Sequence, residues 1–172
     1  MKGKTSRIVV VLVAVALLTA LAPGLGFAKG NKTEFTGIET WWAQVDPGIW
    51  VTLPSGNIHA RGVITQYLEE SSDPRMAGTN TVVMNANLVP PDYSGPVWGT
   101  FYNEVVDGVD CPGGGAWEGT WAGMVKADGA CFYHAVGHGI SGCVEGMLVK
   151  LTADCTSETT TFAGTILDPH GQ

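Results

Sequence analysis

The chain has 172 residues, with 16 acidic side chains against nine basic ones and a formal net charge of −7 at pH 7. That length suits one domain, and the acidic balance excludes nucleic acid or anionic lipid held by charge. Beyond the N-terminus the basic residues (Lys29, Lys32, Arg61, Arg75, Lys126 and Lys150) are scattered and form no patch.

Residues 1–28 read as a secretory signal peptide. Lys2, Lys4 and Arg7 make a basic start, residues 8–22 are apolar apart from Thr19, and Pro23, Gly24, Gly26 and Ala28 supply a break and small residues for cleavage. The apolar run is short for a membrane span, which needs about 20 residues; the alternative is an uncleaved N-terminal anchor. No second hydrophobic run follows, so residues 29–172 are expected to form one secreted or periplasmic domain with no membrane span. Loss of three basic residues with the leader leaves six basic against 16 acidic side chains, a net charge of −10.

Helix signals are nearly absent from this domain. Thr, Val, Trp, Tyr and Phe are abundant and turn residues recur at short intervals, which is the pattern of an all-β sandwich or barrel of roughly eight strands. A first strand is expected over 32–40. Asp46-Pro47-Gly48 turns the chain into a short strand over 49–53. Pro54-Ser55-Gly56-Asn57 is a turn by composition, followed by a long strand over 58–69. Ser71 to Arg75 is a loop. Strands follow over 78–88 and 97–105, then a Gly/Asp/Pro loop. Residues 116–125 and 130–138 form a hairpin around Lys126-Ala127-Asp128-Gly129. Strands over 144–152 and 160–167 complete the set, and 168–172 reads as a frayed tail.

Within 116–125, period-2 alternation puts Trp117, Gly119, Trp121 and Gly123 on one face and Glu118, Thr120, Ala122 and Met124 on the other. Large residues alternating with glycine suit a small, strongly curved closed sheet. The motif has echoes: P-V-W-G-T-F around Trp98 and, more loosely, T-F-A-G-T-I around Phe162.

Four cysteines, Cys111, Cys131, Cys143 and Cys155, favour two disulfides in an exported chain. If the last hairpins run up, down and up, Cys143 and Cys155 flank one strand and stand about 40 Å apart. A bridge needs Cα atoms about 4.4–6.8 Å apart. On this order Cys111 and Cys143 lie at one end and Cys131 and Cys155 at the other, so the expected pairs are Cys111–Cys143 and Cys131–Cys155.

The segments W-E-G-T-W-A-G (117–123), G-H-G-I-S-G-C-V-E-G-M (137–147), H-A-R-G (59–62) and S-D-P-R-M-A-G-T (72–79) resemble small bacterial secreted barrels of the allene oxide cyclase-like, or calycin-like, kind. The resemblance implies a single antiparallel barrel of about eight strands with an internal cavity. It implies no particular activity, because such barrels include cyclases and small-molecule binders.

Glu118 and Glu145 are the catalytic candidates. Each sits in a glycine-flanked apolar stretch, and an inward carboxylate would be desolvated with its pKa raised, ready for acid–base work. The alternative is that both point to solvent. His59 and Arg61 share a strand face, and Arg61 could partner such a carboxylate. With Trp98, Trp117 and Trp121 they are the expected ligand-binding residues. His134 and His138 stand about 13 Å apart on a strand, too far to ligate one ion, so no metal is expected. Asp73 and Arg75 read as a local loop cap. No cofactor is expected either: nucleophile elbow, phosphate loop, dinucleotide fingerprint and H-E-x-x-H are all missing.

Three functions remain open. The barrel binds a small apolar ligand or lipid, it is a cyclase or isomerase acting on a small hydrophobic substrate, or it is a cell-envelope structural or interaction module with a filled interior. A cavity without buried charge favours the first, a buried glutamate beside Arg61 or a histidine the second, and no cavity the third. Oligomeric state is open.

Overall fold

Side chains alternate in and out along nearly every strand, and the inward set closes around one interior. The computed structural model describes residues 30–156 and 159–169; the expected signal peptide lies outside the described residues. Nine strands are present among them: β1 (Asn31–Asp46), β2 (Ile49–Thr52), β3 (Ile58–Ser71), β4 (Gly78–Leu88), β5 (Gly95–Val105), β6 (Gly115–Val125), β7 (Cys131–Gly142), β8 (Leu148–Cys155) and β9 (Thr160–Asp168). The only helical element among the described residues is a 3₁₀ turn, Pro74–Met76. The ladder runs β1–β9–β8–β7–β6–β5–β4–β3, every pairing is antiparallel, and β1 pairs with β3 to close the ring. The result is the expected all-β barrel: eight strands in the closed wall and β2 as an extra strand.

β2 corrects one expectation. Asp46-Pro47-Gly48 does not reverse the chain. Asp46 pairs with Ile64 and Ile49 with Arg61, so β2 continues β1 along the same side of β3 after a kink. Pro47 has no N–H to offer a ladder, and Gly48 sits at φ +66°, a conformation glycine adopts at little cost.

The large–glycine alternation sets the curvature. Val97-Gly99-Phe101 in β5, Trp117-Gly119-Trp121 in β6 and Phe162-Gly164-Ile166 in β9 fall in the same inward phase, which explains the repeated motif. Across the β5–β6 ladder Gly99 faces Trp121 and Phe101 faces Gly119. The ring of Phe101 occupies the space above the glycines: a Cβ on Gly137 would lie 2.6 Å from Phe101 Cζ, and one on Gly164 2.6 Å from Phe35 Cζ. Bulk on one strand thus fills the space left by a missing side chain on another, as close packing requires.

One end of the barrel is plugged. Met76, Trp117, Val144 and Ile166 are almost wholly buried there, and Trp117 Nε1 donates to Arg75 O at 2.7 Å. The Asp73 carboxylate caps the 3₁₀ turn, accepting from Arg75 N and Nε at 3.0 Å each. The Cys111–Cys143 disulfide ties the plug together, while Cys131–Cys155 bridges β7 and β8 at the opposite end. Both are the pairs expected from strand order, and two disulfides indicate an oxidising environment.

Several strand limits differ from expectation: β1 runs on past 40 to Asp46, and β3 takes in Ser71, expected in a loop. β7 continues to Gly142, so His138 is within a strand and does not begin a loop. β8 starts only at Leu148, because residues 143–146 form a tight turn entered through Gly142 (φ +65°) and ended by Gly146 (φ +79°). Asp168 is no frayed residue: it ends β9, pairs with Asn31 and is buried.

Candidate functional site

Above the plug the barrel encloses a cavity of about 440 Å³. Val82, Met84, Phe101, Leu151 and Phe162 give it apolar walls, with Trp121 and Tyr133 on one side. The rings of Trp121 and Tyr133 meet edge to face, 5.6 Å between centroids. Trp41 reaches the cavity yet is largely solvent-exposed, as are Trp42, Ile49 and Trp50 along the β1–β2 line.

A polar cluster breaks this apolar lining. Glu39 of β1 stands directly opposite Glu69 of β3, and both side chains are over nine-tenths buried. Asn80 of β4 lies between them, its Nδ2 donating to Glu69 Oε1 at 2.7 Å and Glu39 Oε1 at 3.2 Å. Asn103 of β5 donates from Nδ2 to Glu69 Oε2 at 2.7 Å and to Met76 O at 3.1 Å. From across the barrel, Tyr133 donates its hydroxyl to Glu39 Oε2 at 2.9 Å. The ladder accounts for the grouping. Glu69 pairs with Gly78, and Asn80 pairs with both Tyr67 and Asn103, so two adjacent inward layers supply both glutamates and both asparagines, and Tyr133 reaches in from the far wall. Gly78 leaves room for Asn103, whose Oδ1 would lie 2.9 Å from a Cβ at that position.

The chemistry of this cluster follows from its burial. Desolvation, then the neighbouring charge of Glu39, pushes the Glu69 carboxyl up to about 8. Desolvation also raises Glu39, opposed by the hydrogen bonds from Tyr133 and Asn80. Two carboxyls this close do not ionise independently, and at neutral pH the pair retains a proton. Each carboxyl accepts two donors; because the charge of Glu39 is among the causes that raise Glu69, the negative charge belongs to Glu39 and the proton to Glu69. The Tyr133 and Tyr67 hydroxyls are held protonated by burial and by the charge of Glu39.

The residues singled out in the sequence mostly lie elsewhere. Glu118 is on the outer wall, half exposed, with His138 Nε2 3.2 Å from its Oε1. Glu145 is exposed in the turn before β8. Trp121 lines the cavity, whereas Trp117 is part of the plug. Arg61 bonds to Ala60 O, Ala86 O and Asn87 Oδ1, and its guanidinium lies 5.1 Å from the Trp98 ring. His59 is half-buried on the same strand. His134 is exposed beside Phe132, and no cluster of three or more His, Cys, Asp or Glu able to hold a metal occurs among the described residues. No helix among the described residues is long and apolar enough to cross a membrane.

Sequence reasoning missed Glu39, Glu69, Asn80 and Asn103. Strand parity was the available signal: Glu39 is in phase with Phe35, Asn80 with Val82, and Asn103 with Phe101. Compared with known proteins, the chain matches no family model, no curated protein and no solved structure.

Proposed function

We propose that the barrel takes a small molecule with an apolar body into its cavity, in an oxidising compartment outside the cytoplasm reached through the signal peptide at 1–28. The observation that carries this reading is the space itself. About 440 Å³ between apolar and aromatic walls lies within the usual range of ligand pockets, and a barrel serving only as a structural module would fill it with side chains. Native mass spectrometry of protein purified from its host's exported fraction tests this directly. A bound mass that leaves on denaturation is expected. A clean unliganded mass across several preparations, with no uptake of alkyl probes, would refute it.

A second reading is a cyclase or isomerase of the allene oxide cyclase-like kind, favoured by the buried carboxyl pair. Glu39, oriented by the Tyr133 hydroxyl, would accept a proton from the ligand, and Glu69 would return one. Incubating the displaced ligand with fresh protein separates the two readings: an isomeric product lost in Glu39→Gln supports the enzyme, and unchanged ligand supports the binder.

A further inference from the structure

We infer that the ligand is an organic cation, an apolar body carrying an ammonium group that seats between Glu39 and Glu69. This rests on the reading of the cavity as a ligand site and names the chemistry of what enters it.

The first argument is the missing counter-charge. Two carboxylates border the cavity, and no lysine, arginine or histidine is among the described residues lining it. Buried acids are ordinarily paired with a basic side chain. The arginines on neighbouring elements are engaged elsewhere: Arg61 faces Trp98 outside the wall, and Arg75 is bound to Asp73 with Nη2 2.7 Å from Oδ2. Charge balance at the pair must come from a proton or from something that enters.

The second argument is the hydrogen-bond count. Asn80 and Asn103 are 7% and 1% exposed and turn their amide N–H groups toward the carboxylates and Met76 O. Their Oδ1 atoms are left with no partner. A buried acceptor without a donor is costly, and here two occur in a cluster that already holds four carboxylate oxygens. The carboxyl cluster itself is short of donors, which an ammonium N–H supplies; the unpartnered indole N–H of Trp121 lies by Gly99 on the cavity wall.

The third argument is the surround. Tyr67, Phe101, Trp121 and Tyr133 line the cavity around the cluster, and aromatic faces attract ammonium groups by cation–π interaction. The acidic surface of the whole protein raises the local concentration of cations. An anionic ligand such as a fatty acid meets the opposite field.

Isothermal titration of the native protein with octylammonium, 1-octanol and octanoate, at matched pH and salt, tests the inference without any variant. Octylammonium is expected to bind about tenfold or more tighter than 1-octanol, as a charge-assisted contact does over a neutral one, with octanoate weakest. Glu69→Gln is expected to weaken octylammonium and leave 1-octanol nearly unchanged. Binding of 1-octanol or octanoate as tight as octylammonium overturns the cation inference while the cavity reading stands. If none of the three binds, both fall.

Discussion

Glu69 makes the stability of this protein depend on pH in an unusual direction. Its carboxyl holds its proton to about pH 8 in the folded state against an ordinary 4.5. Between those values the folded protein binds a proton that the unfolded chain has released, so stability falls as pH rises through the window. The slope approaches about 1.4 kcal/mol per pH unit for one proton, or at most about 5 kcal/mol across the window. Half of that would still lower Tm by several degrees. Most proteins whose carboxylates are stabilised in the folded state show the reverse trend. The perturbation is Glu69→Gln, which keeps the shape of the protonated acid and removes its titration. The new amide brings a donor that the unpartnered Asn80 Oδ1 or Asn103 Oδ1 can accept once a carboxamide turns. Guanidinium unfolding of both proteins at pH 5, 6, 7 and 8 gives the measurement. Near pH 5 the two should be similar, and by pH 8 the variant should be more stable by a few kcal/mol, order of magnitude. Taking the difference between the two proteins cancels the contribution of the exposed groups they share. A difference that stays flat with pH would refute the raised carboxyl and the assignment of the proton to this pair.

Other perturbations test the rest of the architecture. Gly137→Ala places a Cβ 2.6 Å from Phe101 Cζ and 2.7 Å from Glu118 O; chemical denaturation should show a loss of about 1–3 kcal/mol. Replacing Cys131 and Cys155 together with serine opens a bridge spanning 24 residues and should cost about 3 kcal/mol by the same assay. Tyr133→Phe removes the hydroxyl that donates to Glu39; Glu39 should titrate at higher pH, read from its side-chain carboxyl carbon by NMR, with about 1–3 kcal/mol lost. Glu118→Gln and Glu145→Gln alter exposed side chains and should leave probe binding unchanged and stability within about 0.5 kcal/mol.

How legible each part was depended on how far its cause reached along the chain. The Trp117-Gly119-Trp121-Gly123 alternation is a local period-2 signal, and it faces inward because only that phase buries two indoles beneath neighbouring glycines. The disulfide pairs were also legible, because strand length alone separates Cys143 from Cys155. Strand ends were less so: the turn at 143–146 is drawn back by the Cys111–Cys143 bond and by Val144 packing into the plug, neither of which is local. The site was hidden for a different reason. Glu39 lies between Ile38 and Thr40, with Ile38 outside at 44% exposure, so apolar and polar faces are exchanged there and hydrophobic alternation points the wrong way. Glu69-Glu70 reads as a solvated acidic pair, yet one residue is buried and the other exposed. Only the phase set by Phe35 and Tyr67 distinguishes them.

The placement of these carboxyls bears on what the barrel is for. Following the ladder from Glu39 through Thr160, Cys155, Cys131, Val125 and the ends of β5 and β4 leads to Ile58 and then Thr52. One circuit thus climbs from the middle of β1 to the end of β2, and this stagger requires the long β1–β2 line. The same stagger sets Glu39 opposite Glu69 where β1 closes on β3. Like charges directly across a ladder are destabilising, and a buried polar cluster can often be exchanged for well-packed apolar side chains with no loss of stability. The barrel does neither of the things stability alone would favour: it does not fill its interior, and it does not separate the two acids. An open cavity and an uncompensated carboxyl pair are each a stability cost, and they occur at the same place. The proposed ligand, filling the first and neutralising the second, would account for both.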